Sequence, residues 1–95
     1  MSRGINSVAV SGNVTRDISF GETDGGNPYC SFTIITEKKD KKHRAIVRLN
    51  IYLPGLVQVC HNLLREGGYV VVAGELMNPD HKSSCEIRCL EIAFP

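Results

Sequence analysis

Ninety-five residues leave room for one domain, and 42 % apolar against 22 % charged residues exclude a disordered chain. Eleven Lys/Arg against ten Asp/Glu give a net charge of +1, which excludes holding an anionic polymer by bulk charge, so any such binding must rest on local clustering. No apolar run approaches the roughly 18 residues that span a bilayer, and the stretch from Met1 to Asn6 is too short and polar for a signal peptide, which predicts a soluble, cytoplasmic protein with no membrane partner.

In chain order, Ile5 to Val14 alternates Val8, Val10 and Val14 against Ser7, Ala9 and Ser11, the pattern of a half-buried strand, with Gly12 marking a bulge or a bend. Asp24-Gly25-Gly26-Asn27-Pro28 is a turn, and Tyr29 to Thr36 is a second strand in which Cys30, Phe32 and Ile34 share one face. The run from Glu37 to Arg44 has no apolar face and reads as a solvated, cationic hairpin tip before a third strand from Ala45 to Leu53. Pro54 suits the first turn of a helix, which Leu56, Val57, Val59, Cys60, Leu63 and Leu64 continue at three- and four-residue spacings toward Gly67-Gly68. Tyr69 to Leu76 is a fourth strand, Met77 to Ser84 a polar loop, and Ser84 to Phe94 a fifth strand.

The order β-β-β-α-β-β predicts a single all-β domain over residues 1–95 with one helix: a five-stranded Greek-key barrel of the OB type, its helix plugging one end between the third and fourth strands. A sandwich of the immunoglobulin kind wants about seven strands and has no use for this helix. Cys30, Cys60, Cys85 and Cys89 lie inside apolar patterns and read as reduced small hydrophobes; no spacing matches a zinc knuckle, and no cofactor is expected.

Ser2-Arg3-Gly4-Ile5-Asn6, followed by Val8, Val10, Gly12-Asn13-Val14 and Arg16-Asp17, resembles the opening of bacterial-type single-stranded DNA-binding proteins. Gly25-Gly26, Phe32-Thr33-Ile34, Leu63-Leu64-Arg65-Glu66-Gly67 and the strand ending Gly74-Glu75-Leu76 are similar to that family in order and spacing, so the resemblance covers nearly the whole chain. It implies sequence-independent binding of single-stranded DNA in replication, recombination or repair, near the nucleoid, by a homo-oligomer (a dimer or tetramer) that meets replication or repair proteins. Small residues at Ser7, Ala9 and Ser11 suit close pairing of strand one with another copy.

The departures from the family are specific. The chain has no Trp, and the family's base-stacking positions fall near Asp40, Val47, Leu53 and His81, of which His81 alone has a π face. The hairpin between strands two and three is shorter than usual, and no acidic tail follows Phe94-Pro95, which leaves a trimmed core or a tail-less relative. Pro28 to Phe32 looks closer to the bacterial primosomal replication accessory protein, which implies an alternative: a replication-restart module that docks mainly onto proteins and contacts single strands secondarily.

A single-strand groove needs cations for phosphates and flat surfaces for bases on one face. Lys38, Lys39, Lys41, Lys42, His43 and Arg44 crowd one hairpin, flanked in the expected fold by Arg48 and by the loop carrying His81 and Lys82. Phe20 and Tyr52 are the candidate surface aromatics, Phe32 belonging to the core, and Arg3 and Arg16 beside strand one are further phosphate candidates. Enzymatic chemistry finds no support: His43, His61 and His81 are dispersed, and no phosphate loop or carboxylate pair stands at a useful spacing.

Overall fold

The computed structural model describes residues 4–40, 42–79 and 85–95. Its elements are β1 (Val8–Val14), β2 (Ser19–Glu22), β3 (Pro28–Glu37), β4 (Arg44–Ile51), α1 (Pro54–Leu63), β5 (Tyr69–Met77) and β6 (Glu86–Ala93). Strands β1, β5, β6, β4 and β3 pair in that order, and β1 returns to β3, so the sheet closes on itself. This is the five-stranded barrel that the sequence predicts, with α1 between its third and fourth members.

Strand β2 is an addition with a local cause. Strands β1 and β2 share one edge of β3: Asn13 and Val14 lie opposite Ile35 and Ile34, and Ser19 to Glu22 lie opposite Ser31 to Pro28. Between them the Asp17 side chain accepts a bond from the Thr33 backbone N–H at 3.2 Å. The carboxylate thereby takes a place in the ladder that a backbone carbonyl would fill, and the first strand resumes beyond it as a separate piece. The predicted turn then closes the β2–β3 hairpin, with Thr23 N–H donating to Asn27 O at 2.8 Å and Gly26 N–H to Thr23 O at 2.8 Å.

Two glycines permit closure. At Gly12, where β1 passes from β5 toward β3, a Cβ would lie 2.3 Å from the Ile35 carbonyl oxygen; at Gly74, beside the bulge at Ala73/Gly74, it would lie 1.9 Å from that of Arg88. Chains can approach this closely only where no side chain intervenes. The last seam is the parallel pair β4–β6, registered at Leu49↔Ile87 and Asn50↔Arg88.

Phe32, Ile34, Leu49, Ile51, Val70, Val72 and Ile87 fill the barrel, and Val57, Cys60 and Leu64 press onto its end from α1 and the residue just past it. Pro54 stands in the first turn and no side chain caps the helix, so packing of this narrow stripe is what holds it. The sequence pattern suggests a wider stripe, but Val59 and Leu63 are exposed. At the other end Arg65 satisfies two loose carbonyls, donating to Leu64 O at 2.8 Å and Asn62 O at 2.9 Å.

Cys30, Cys60 and Cys89 are wholly buried, as small hydrophobes would be, whereas Cys85 is exposed. A hydrogen bond with Cys60, together with burial, pushes the Cys30 thiol up, and burial pushes Cys89 up to about 11, which keeps both protonated at neutral pH. No described helix is long and apolar enough to cross a membrane.

Candidate nucleic-acid interface

Strand parity sets the outer face of β3 and β4. Phe32 with Leu49 and Cys30 with Ile51 turn into the core, so the intervening pairs Ser31–Asn50, Thr33–Arg48 and Ile35–Ile46 turn outward. Ile46 is 71 % exposed there. Ser31, Thr33 and Asn50 are nonetheless buried, Ser31 Oγ donating to Asn50 Oδ1 at 2.9 Å, and Arg48, Asn50 and, on the neighbouring β6, Arg88 are already engaged by carboxylates. Arg48 Nη1 donates to Asp17 Oδ2 at 3.2 Å, Asn50 Nδ2 to Glu86 Oε1 at 2.7 Å, and Arg88 Nη1 to Glu75 Oε1 at 3.4 Å.

Asp17 is the most connected of these acids. Its carboxylate accepts from Thr15 Oγ1 at 2.5 Å and from Thr33 Oγ1 at 2.6 Å, besides Thr33 N–H and Arg48. The Thr15 bond, then the Thr33 bond and the Arg48 charge, hold its carboxyl below the usual carboxylate range. Its contribution to stability is therefore full above the ordinary aspartate pKa and is lost as pH falls through the lowered folded value. Asp17→Asn is expected to lower stability by about 1 kcal/mol at pH 7, a value discounted because the side chain is half exposed. Urea midpoints of the two chains should converge as pH falls below the lowered folded pKa of Asp17; a gap that persists unchanged would refute this role.

The β3–β4 hairpin carries the clustered cations. Its tip is closed by Lys38 N–H donating to His43 O at 3.0 Å. Asp40 accepts from Lys42 N–H at 2.9 Å and pairs with the His43 ring at 2.8 Å, and these bonds, the Lys42 one foremost, draw its carboxyl below the usual range. Arg44 faces Glu37 at 3.8 Å. Lys38, Lys39 and Lys42 make no ion pair among the described residues. An open cleft of about 540 Å³ lies where this arm meets the barrel, with Lys38, Lys39 and Arg44 on one side and Gly12, Asn13 and Tyr69 on the other.

The remaining expected residues are scattered. Phe20 stands edge-on to His61, ring centroids 5.2 Å apart, in a separate cleft of about 340 Å³ that has Glu22 in its lining and neither Lys nor Arg. Arg16 pairs with Glu66 at 2.9 Å beside the loop that follows α1, and Tyr52 stands 40 % exposed just past β4. Arg3, Lys41, His81 and Lys82 lie outside the described residues. Of the family's stacking positions, Asp40 is folded into the tip, Val47 is half-buried and Leu53 is the helix N-cap.

Tyr69 is the residue that sequence reasoning leaves out of the site. It opens β5 opposite Asn13, and since Val70 and Val72 point inward its ring turns outward, 48 % exposed, into the cleft. The signal was its phase within Tyr69-Val70-Val71-Val72, which a nearly continuous apolar run obscures.

Comparison with known proteins agrees with this geometry. The mitochondrial single-stranded DNA binding protein Rim1 of S. cerevisiae matches with a TM-score of 0.81 at 11 % identity, covering 97 % of this chain and 95 % of that one. A second Rim1 structure matches at 0.83 and 11 % identity over 96 % and 94 %. The Plasmodium falciparum SSB in complex with ssDNA matches at 0.79 and 19 % identity over 100 % and 98 %. At such identities the likeness shows the fold. No curated protein sequence matches. The model of the single-strand binding protein family matches residues 5–85, which run from the approach to β1 to the last residue before β6, and the chain belongs to that family.

Proposed function

We propose that this protein binds single-stranded DNA without sequence preference, as an oligomer of at least two copies, in replication, recombination or repair. The observation that carries the reading is the lysine arm: Lys38, Lys39 and Lys42 make no ion pair among the described residues, and Lys38 and Lys39 line a cleft on a barrel of the single-strand binding family. Free ammonium groups displace counterions from a phosphate chain, and such contacts ignore base identity. The Plasmodium falciparum relative, described in complex with ssDNA, supports DNA as the ligand. Oligomerisation is supported by β1, where pairing with β3 is confined to Asn13 and Val14 among the described residues; the edge of Val8 to Ser11 turned away from β5 pairs with no strand among them and suits a strand from another copy. Such a protein works where DNA is exposed, in the cytoplasm beside the nucleoid.

Anisotropy of a labelled oligo-dT across a salt series tests the reading. If Lys38, Lys39, Lys42 and Arg44 each meet a phosphate, log affinity should fall against log salt with a slope of about −3. No binding at low salt would sink it and favour the replication-restart docking module. Light scattering that gives the mass of one copy would sink the oligomer.

A further inference from the structure

We infer that the cleft between the β2–β3 hairpin and α1 is a docking site for a partner protein that offers an arginine side chain. Strand parity builds one wall of it. Phe20 lies opposite Cys30 and Glu22 opposite Pro28, so Phe20, Glu22 and Pro28 share the face that Cys30 turns to the core, while Gly21 and Tyr29 alternate to the other. Val57, Gln58 and His61 of α1 supply the opposite wall. The His61 ring braces that of Phe20 edge-on, centroids 5.2 Å apart, yet Phe20 stays 41 % exposed. The volume of about 340 Å³ lies at the small end of the roughly 300–1,000 Å³ of ligand clefts, room for one long side chain.

Charge identifies the occupant. Among the described acids, Asp17, Glu37, Asp40, Glu66, Glu75 and Glu86 each meet a donor, whereas the carboxylates of Glu22, Asp24 and Glu91 make no hydrogen bond or ion pair. Glu22 and Asp24 both belong to the β2–β3 hairpin, and the cleft has Glu22 in its lining and neither Lys nor Arg. It attracts a cation and repels a phosphate chain. A guanidinium suits both the ring and the acid, because its plane stacks on an aromatic face, its paired N–H groups meet a carboxylate, and it is less strongly hydrated than the lysine ammonium. Free arginine would bring its own carboxylate beside Glu22 with no cation in the lining to hold it, whereas in a peptide that group is a neutral amide. A second copy of this chain is a poor source. Its described arginines are already engaged, Arg16, Arg44, Arg48 and Arg88 by acids and Arg65 by carbonyls. The occupant is thus an arginine on an exposed segment of a different protein.

Nuclear magnetic resonance of the isotope-labelled full chain, titrated with an acetyl-Gly-Arg-Gly-amide peptide, tests this without DNA. Saturable shifts should centre on the backbone amides of Phe20, Glu22, Gln58 and His61. The lysine counterpart of the peptide and free arginine should each bind several times more weakly. Glu22→Gln should weaken the arginine peptide about fivefold, and Phe20→Leu, which keeps bulk but removes the π face, should weaken it by a similar factor. Glu91→Gln, which removes an equally unpaired acid from β6, should leave binding unchanged. Since neither Glu22 nor Glu91 has a side-chain partner to lose, both glutamine variants should melt as the parent does, so the comparison does not depend on Phe20→Leu folding well. The inference is overturned by the absence of a saturable shift at the cleft, by equal binding of the lysine peptide or free arginine, or by an equal loss from Glu91→Gln. A change of mass in solution on Glu22→Gln would give the cleft to another copy and overturn it too. In each of these cases the single-strand reading stands, because it uses other surfaces.

Discussion

Replacing Lys38, Lys39 and Lys42 together by glutamate should weaken oligo-dT binding by about a thousandfold at low salt. Each lysine that meets a phosphate forms a charge-assisted contact of about 1.5 kcal/mol, so losing three costs about 4.5 kcal/mol, and about 1.4 kcal/mol is tenfold in affinity. Repulsion from the new carboxylates adds to the loss. The slope of log affinity against log salt should also become shallower by about 2, because fewer counterions are released. The fold should survive, since none of the three lysines makes an ion pair among the described residues. The thermal midpoint should therefore move by no more than surface substitutions usually cause. Anisotropy titrations at several salt concentrations, with a circular dichroism melt of the same sample, check both halves. An unchanged salt slope would show that the arm does not meet the phosphates.

Gly74→Ala carries the largest expected effect on stability. The added Cβ would lie 1.9 Å from the Arg88 carbonyl oxygen, a backbone atom that cannot swing aside, so β5 and β6 must separate at the bulge. Overpacking against backbone here should cost about 3 kcal/mol or more, out of a total of about 5–15 kcal/mol for a domain. A fall in the melting midpoint of roughly 15 °C follows for a domain of this size. Gly55→Ala is the matching control: apart from its chain neighbours and the helix's own backbone, no described atom lies within 4 Å of the added Cβ, and it sits in the first turn of α1, where alanine gains up to about 0.5–1 kcal/mol over glycine. A melt in which both variants behave alike would show that closure does not depend on the approach at Gly74.

The barrel was legible because its strands alternate cleanly: Phe32, Ile34 and Cys30 announce a core row, and the Asp-Gly-Gly turn and Pro54 punctuate the chain. Strand β2 was not, because Ser19-Phe20-Gly21-Glu22 has no period-two face and is extended by pairing with β3. The break before it depends on Asp17 reaching Thr33, a contact between residues sixteen positions apart that no local pattern signals. The arm's lysines are visible as a run, but that Lys38, Lys39 and Lys42 make no ion pair among the described residues is not. In the sequence Arg48 is as available as Lys38; in the fold Asp17, bonded to Thr33 of β3, lies beside Arg48, as Glu75 of β5 lies beside Arg88 of β6. A sequence hints at an aromatic's exposure and not at its neighbours: Phe20 is exposed in a cleft lined by neither Lys nor Arg, whereas Tyr69 lies across a cleft from Lys38 and Lys39.

The pairing order also governs when this molecule can take shape during synthesis. Val8 to Asn13 finds its ladder partner in Tyr69 to Gly74, and β6 alone joins β4 to β5. On the ribosome the earliest strand thus waits, one edge bare, until most of the polypeptide has emerged, and the wall is sealed last of all by the final strand. A nascent chain halted before Glu86 leaves the facing edges of β4 and β5 unsealed, the condition under which β-rich intermediates associate with one another.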